Sequence, residues 1–170
     1  MIETIGITSI ILGIFWLLKL TINNKPITFL KLTNKKSSFY INNEGKYVIS
    51  TVKGQFITIL NGFKIVINQN FKTNSDLIIN ELKIRNKTFN KWHIGVEFLE
   101  FKITNAGSYN ILIENTNKLI VKEPRFASKS RILDKINTDD IELAIGKYYP
   151  FYYRILPILL IIIGIVSFIL

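Results

Sequence analysis

The 170-residue chain has no cysteine, one histidine, one methionine and four prolines, and its twelve acidic residues face twenty-two basic ones. Without cysteine there are no disulfides, no thiolate metal sites, no lipid-modified cysteine anchor and no thiol nucleophile. The lone histidine has no second imidazole and no sulfur ligand with which to complete a zinc site. G-x-S-x-G, P-loop and G-x-G-x-x-G motifs are also missing, so acyl transfer, nucleotide hydrolysis and dinucleotide binding have no sequence support. The shortage of acid leaves a formal charge of +10. Its basic residues are scattered, with no Arg-rich helix and no RNP-like aromatic block. They read as a solvated surface attracted to anionic headgroups, and nucleic acid is not expected as a partner.

What is present is alternation. From Phe101 to Ile113 the apolar residues Phe101, Ile103, Tyr109, Ile111 and Ile113 occupy odd positions around Gly107. The same spacing, F-x-I-x-N-x-G-x-Y-x-I, runs from Phe39 to Ile49. A period of two around a glycine break predicts two equivalent β-hairpins, each with one buried face. Asn61-Gly62, flanked by Gln55 to Leu60 and Phe63 to Ile67, predicts a further two-residue hairpin. Trp92, Ile94, Val96 and Phe98 alternate until the phase changes at Leu99-Glu100, which predicts a bulge or bend. Lys118 to Val121 reads as another strand, while residues 124–137 have no clear period and Thr138 to Gly146 fits either a short helix or a last strand. Eight or nine short strands with frequent turns predict an all-β, antiparallel, jelly-roll-like sandwich.

The two ends differ from this core. Ile2 to Leu20 is apolar apart from Glu3, Thr4, Thr8, Ser9 and Lys19, and nineteen helical residues reach about 28 Å. No basic n-region and no A-x-A-like site mark it as a cleaved signal, so a retained transmembrane helix is expected. Ile155 to Leu170 carries no charge and predicts a second one, with Pro157 in its first turn. Just before it, Tyr148, Tyr149, Phe151, Tyr152, Tyr153 and Arg154 form an aromatic belt with a snorkelling base. With Lys19 they are the expected membrane anchors. Small residues at Ser9, Gly13, Gly164 and Ser167 predict that the helices pack together. The expected division is residues 1–21, a β domain over 22–147, and the belt and second helix over 148–170.

Chemistry is sparse. His93 lies on the opposite face of its strand from Trp92, Ile94 and Val96, near Glu97, and the acid pairs Glu97/Glu100 and Asp139/Asp140 are too close in sequence to straddle a substrate. No catalytic residue, metal site or cofactor is assigned. Asn86-Lys-Thr88 is a glycosylation sequon in spelling only. Tyr47 and Tyr109 are expected in the core, and Tyr40, Trp92 and His93 form the candidate binding surface.

The favoured reading is a two-pass protein of a bacterial inner membrane, a non-enzymatic binding or accessory subunit whose partners are the bilayer and another membrane protein. The A/T-rich codon usage implied by its Asn, Ile, Lys, Phe and Tyr content suggests the bacterial origin. A membrane-tethered enzyme of envelope glycan metabolism and a cytoplasm-facing lipid- or protein-binding scaffold are the alternatives. Lys19, Lys25, Lys31, Lys35, Lys36, Lys147 and Arg154 all lie on the domain side, and positive-inside would keep the domain in the cytoplasm. Long domains translocate largely regardless of charge, and the extracytoplasmic side is preferred on that ground.

Overall fold

The computed structural model describes residues 2–23, 25–69, 77–127 and 130–168, and in it the repeated motif folds twice in one way. Neither copy is a hairpin. In the first, β2 (Lys36–Ile41) and β3 (Gly45–Thr51) lie in different sheets, and so do β8 (His93–Ile103) and β9 (Gly107–Glu114) in the second. Each copy is an arch that steps between sheets, and the two copies pair with each other. β2 runs antiparallel to β9 with Phe39 opposite Tyr109, and β3 runs antiparallel to β8 with Tyr47 opposite Phe101.

The pseudo-twofold relation extends to side chains. Phe39 stacks on Tyr109 at 6.0 Å between centroids and Tyr47 on Phe101 at 5.9 Å. The Tyr47 hydroxyl donates to the Asn43 carbonyl at 2.5 Å, and the Tyr109 hydroxyl donates to the Asn105 carbonyl at 2.5 Å. These are tyrosine corners, which tie the end of a crossing back to its start. Gly45 and Gly107 open the outgoing strands at φ of +146° and +150°, a region that side chains with a Cβ rarely enter. All eight predicted inward residues, Phe39, Ile41, Tyr47, Ile49, Phe101, Ile103, Tyr109 and Ile111, are buried. The alternation predicted the buried face correctly. It could not say whether the strands flanking the break would pair with each other.

The remaining strands complete three antiparallel, sandwich-like sheets. β1 (Thr28–Lys31), β12 (Glu142–Lys147), β3, β8 and β6 (Ile79–Glu81) form the largest, with β7 (Lys87–Asn90) also paired to β8. β11 (Ser130–Lys135), β10 (Leu119–Ala127) and β4 (Phe56–Ile59) form the second, and β2, β9 and β5 (Lys64–Gln69) the third. One apolar cluster draws on all three sheets, with Leu143, Phe98, Val121 and Ile67 among its members. Asn61-Gly62 does make a turn, in which the Phe63 amide donates to the Leu60 carbonyl, but β4 and β5 then join different sheets. The predicted phase shift is present as a bulge: Ile49 faces Leu99 and Ser50 faces Glu97, so Phe98 has no opposite residue. Thr138 to Gly146 holds both expected alternatives, a 3-10 turn over Thr138–Asp140 and then β12.

The chain divides into two units, Pro26–Tyr148 and the terminal segments Met1–Lys25 with Tyr149–Leu170. The second contains α1 (Ile2–Asn23) and α2 (Phe151–Val166). Among the described residues no helix is long and apolar enough to cross a membrane. The two helices pack antiparallel. A Cβ on Gly13 would lie 2.7 Å from the Pro157 carbonyl oxygen, and one on Gly164 would lie 2.7 Å from the Gly6 oxygen. The seam therefore uses Gly6 and Gly13 on α1, seven residues apart, with Ser9 only half-buried. α2 starts at Phe151 and not at Ile155, which moves Pro157 out of the first turn. Its missing N–H frees the Tyr153 carbonyl.

Candidate functional site

Three places in the β unit hold the residues that the sequence singles out. The first is the β7–β8 turn. Asn90 pairs with His93, leaving Lys91 and Trp92 as the two central residues, at φ of 48° and 64°. Both are left-handed, as a type I′ turn demands, yet neither is the Asn or Gly that adopts this conformation cheaply. A left-handed residue with a Cβ costs about 1–2 kcal/mol, so the surroundings must hold the turn in place. Lys91 provides two such contacts: its ammonium lies 2.7 Å from Glu142 on β12 and 4.0 Å from the ring centroid of Phe29 on β1. A part-exposed ion pair of this kind contributes about 0.2–1 kcal/mol and a cation–π contact about 0.5–1 kcal/mol. The same turn leaves Trp92 89% exposed.

The second place is a buried polar cluster in the largest sheet. Glu97 is 1% exposed, and its carboxylate accepts from the Asn86 side-chain amide at 3.0 Å while its backbone N–H donates to the Asn86 carbonyl at 2.9 Å. Beside it the Thr51 hydroxyl accepts from the Val96 N–H at 3.0 Å and donates to the Gly54 carbonyl at 3.3 Å. Gly95 crosses Thr51 so closely that a Cβ would come within 1.7 Å of the Thr51 carbonyl oxygen. No described buried side-chain polar atom lacks a hydrogen-bond partner. The cluster fastens β3 and the segment leading into β7 to β8. Asn86, spelled as a sequon, is buried.

His93 and Glu97 are not brought together. The His93 side chain is exposed and makes no hydrogen bond among the described residues, while Glu97 turns inward to Asn86. Asp139 and Asp140 sit adjacent on the 3-10 turn before β12. Among the described residues no three His, Cys, Asp or Glu side chains are grouped to hold a metal ion.

The third place is the outer face of β2-β9-β5. Tyr40 stands exposed there opposite Ser108, and the next row in register is Ser38, Asn110 and Asn68. Lys36, Ser37, Val66 and Leu112 complete a shallow groove of about 580 Å³. Tyr40 is near the arch that follows Ile103, and Trp92 precedes His93 at the other end of β8. Ten residues of strand, about 33 Å, separate those ends. The expected surface of Tyr40, Trp92 and His93 is therefore two surfaces.

The expected anchor residues lie at the start of α2 and late in α1. Phe151, Tyr152 and Tyr153 are exposed, Tyr149 and Arg154 half-buried, and Lys19 exposed. Tyr153 meets Trp16 edge-on at 6.0 Å and Tyr152 at 5.2 Å. Tyr148 belongs to the β unit, where its amide donates to the Lys46 carbonyl at 3.0 Å. Sequence reasoning missed Lys91 and Thr51, whose partners lie fifty-one and forty-five residues away, and noticed Asn86 only as a sequon and not as the partner of Glu97.

Compared with family models, curated proteins and solved structures, the chain finds no match in any of the three.

Proposed function

We propose that the protein is a membrane-anchored, non-enzymatic binding or accessory subunit of a bacterial membrane assembly, with the helix pair as its anchor and a jelly-roll-like sandwich as its binding domain. One observation carries the reading: the helix pair wears its large apolar side chains on the outside. Ile5, Ile7, Ile11, Ile14 and Leu18 of α1 are exposed, as are Ile158, Leu159, Ile162, Ile163 and Ile165 of α2. At about 100° per residue these cover roughly half of each helix, the half opposite the glycine seam. In water such a surface would be a strong association liability, whereas in lipid it is the ordinary exterior of a helix pair.

In this reading the two helices insert together as a two-pass hairpin, neither being long and apolar enough by itself among the described residues to cross a membrane. The 22 residues of α1 reach about 33 Å and the 16 of α2 about 24 Å, so the Phe151 end of α2 lies in the headgroup layer or the bilayer thins around it. β1 and β12 are neighbours, with Thr28 opposite Ile145, so the chain passes into and out of the β unit at adjacent strand ends. The β domain is extracytoplasmic, since long domains cross largely regardless of their charge. A single cysteine at the exposed Asn117, probed with an impermeant maleimide in intact spheroplasts, should label before lysis. Labelling only after lysis would place the domain inside.

The contact point for a protein partner is the Trp92 turn, because a fixed, solvent-presented tryptophan is what interface hot spots use. Mild-detergent purification of the full chain should recover one stoichiometric membrane partner, lost with Trp92→Ala and retained with His93→Ala. A lone monomer, with a phenotype that depends on His93, would favour the tethered enzyme.

A further inference from the structure

The helical unit holds a feature that anchoring alone does not require. Between α1 and the Tyr149 to Leu160 stretch lies a mainly apolar cavity of about 410 Å³. Its walls change character along their length: Leu12, Phe15 and Leu160 at one end, Trp16 and Tyr153 edge-on in the middle, and Lys19 and Tyr149, with Leu20 beside them, at the other. From Leu12 to Lys19 is seven residues, about 10 Å of helix. An apolar floor, then amphipathic rings, then an ammonium beside a phenol is the polarity profile of an amphiphile, with its chain at the Leu end and its headgroup at the Lys end.

The charge on that headgroup follows from the surroundings. Lys19 makes no ion pair among the described residues. Within the helical unit, from Thr4 to Lys25 and from Tyr149 onward, the charged side chains are Lys19, Lys25 and Arg154, with no acid. A headgroup bearing an ammonium would meet only like charge from these segments. A phosphate without one would be matched by Lys19 and could accept a hydrogen bond from the Tyr149 hydroxyl.

The geometry points to a binding site for one anionic phospholipid, its acyl chain along Leu12 and Leu160 and its phosphate at Lys19 and Tyr149. This rests on the membrane reading above and deepens it: the anchor selects a lipid class and does more than dissolve in the bilayer. A basic residue near the membrane surface contributes about 1 kcal/mol toward anionic lipid, which is roughly five-fold in preference.

The test uses the full chain with Trp92→Phe, which leaves Trp16 as the one tryptophan, in phosphatidylcholine vesicles in which a minor fraction of the lipid is brominated on its acyl chains. Brominated phosphatidylglycerol should quench Trp16 several-fold more effectively than brominated phosphatidylcholine at the same fraction. Lys19→Gln should remove about five-fold of that preference, Lys19→Arg should restore it, and Lys25→Gln, outside the cavity, should change it little. Glycerol phosphate at millimolar concentration should not relieve the quenching; relief would make the ligand a soluble phosphate and overturn the lipid site. Equal quenching by both brominated lipids, in a protein that floats with the vesicles, would overturn the site and leave the anchor standing. Failure to float would overturn the anchor, and the site with it.

Discussion

The β unit and the helix pair treat the same residue types in opposite ways. In the β unit Ile41, Ile49, Ile67, Ile103 and Ile145 are fully buried, whereas in the helix pair Ile11, Ile158, Ile162 and Ile163 face outward and glycines line the contact. Water enforces the first arrangement, because each buried isoleucine removes apolar surface at about 25 cal/mol per Å². The second gains nothing from water. It makes sense where the surroundings are as apolar as the side chains, so that close backbone approach across small residues is what holds the helices together. One chain thus carries two packing arrangements, and the membrane reading proposed above rests on the difference.

The contrast is breakable by substitution, and the effects fall in order. Ile111→Ala should cost about 2–5 kcal/mol in a denaturant melt of the β unit, while Ile162→Ala, which removes an outward side chain, should stay within about 0.5 kcal/mol. Equal costs would erase the distinction. Ile162→Lys should lower insertion by about 3–4 kcal/mol, the difference between the two residues at mid-bilayer, whereas Tyr40→Lys on the β unit should leave insertion unchanged; a glycosylation-reporter insertion assay reads both. Gly13→Ala forces a Cβ to 2.6 Å from Ile161 Cγ1 and 2.7 Å from the Pro157 oxygen, and should weaken the helix pair by about 1–3 kcal/mol. Cross-linking between cysteines on α1 and α2 would register this as lost yield.

Smaller effects sharpen the β half of the comparison. Tyr47→Phe and Tyr109→Phe should each cost about 0.5–1.5 kcal/mol, the net worth of one hydrogen bond, and by similar amounts, since the two corners are equivalent. A difference of several-fold would break the pseudo-twofold account. Burial pushes the Tyr109 phenol above its ordinary value, the bond to the Asn105 carbonyl opposes this and the Glu44 charge adds to it. The folded state therefore holds this proton more tightly than the unfolded chain does. Its contribution is complete at neutral pH and is lost as pH rises past about 10, the ordinary phenol value. Urea melts should show the decline above that pH reduced in Tyr109→Phe.

How far the sequence speaks depends on whether a feature is local. The buried parity of both motif copies was legible, because a period of two is fixed by the pleat. Their partners were not: in Ile41 to Gly45 and Ile103 to Gly107 the break could have closed a hairpin, and only long-range pairing decides for an arch. β12 was half-legible because Leu143, Ala144 and Ile145 are all buried, so it has no alternation to read. Of the candidate surface residues, Trp92 was noticed for its type, but its alternation with Ile94 and Val96 suggested a strand position, and its exposure comes from a turn that Lys91 fastens to Glu142, fifty-one residues away. His93 and Glu97 were near in sequence and are separated by burial. The seam glycine Gly13 was read correctly, and its partner Gly6 was passed over because a seven-residue spacing is less conspicuous than a four-residue one.

What surrounds the helix pair decides whether it is an anchor. As the chain has no cysteine, single cysteines at Ile162 and Tyr40 can carry a nitroxide in the full chain reconstituted in phospholipid vesicles. Collision with molecular oxygen and with a water-soluble nickel chelate then reports each environment. The label at Ile162 should relax with oxygen and be shielded from the chelate, and the label at Tyr40 should do the reverse. Chelate access at Ile162 equal to that at Tyr40 would put the helix pair in water and contradict the anchor.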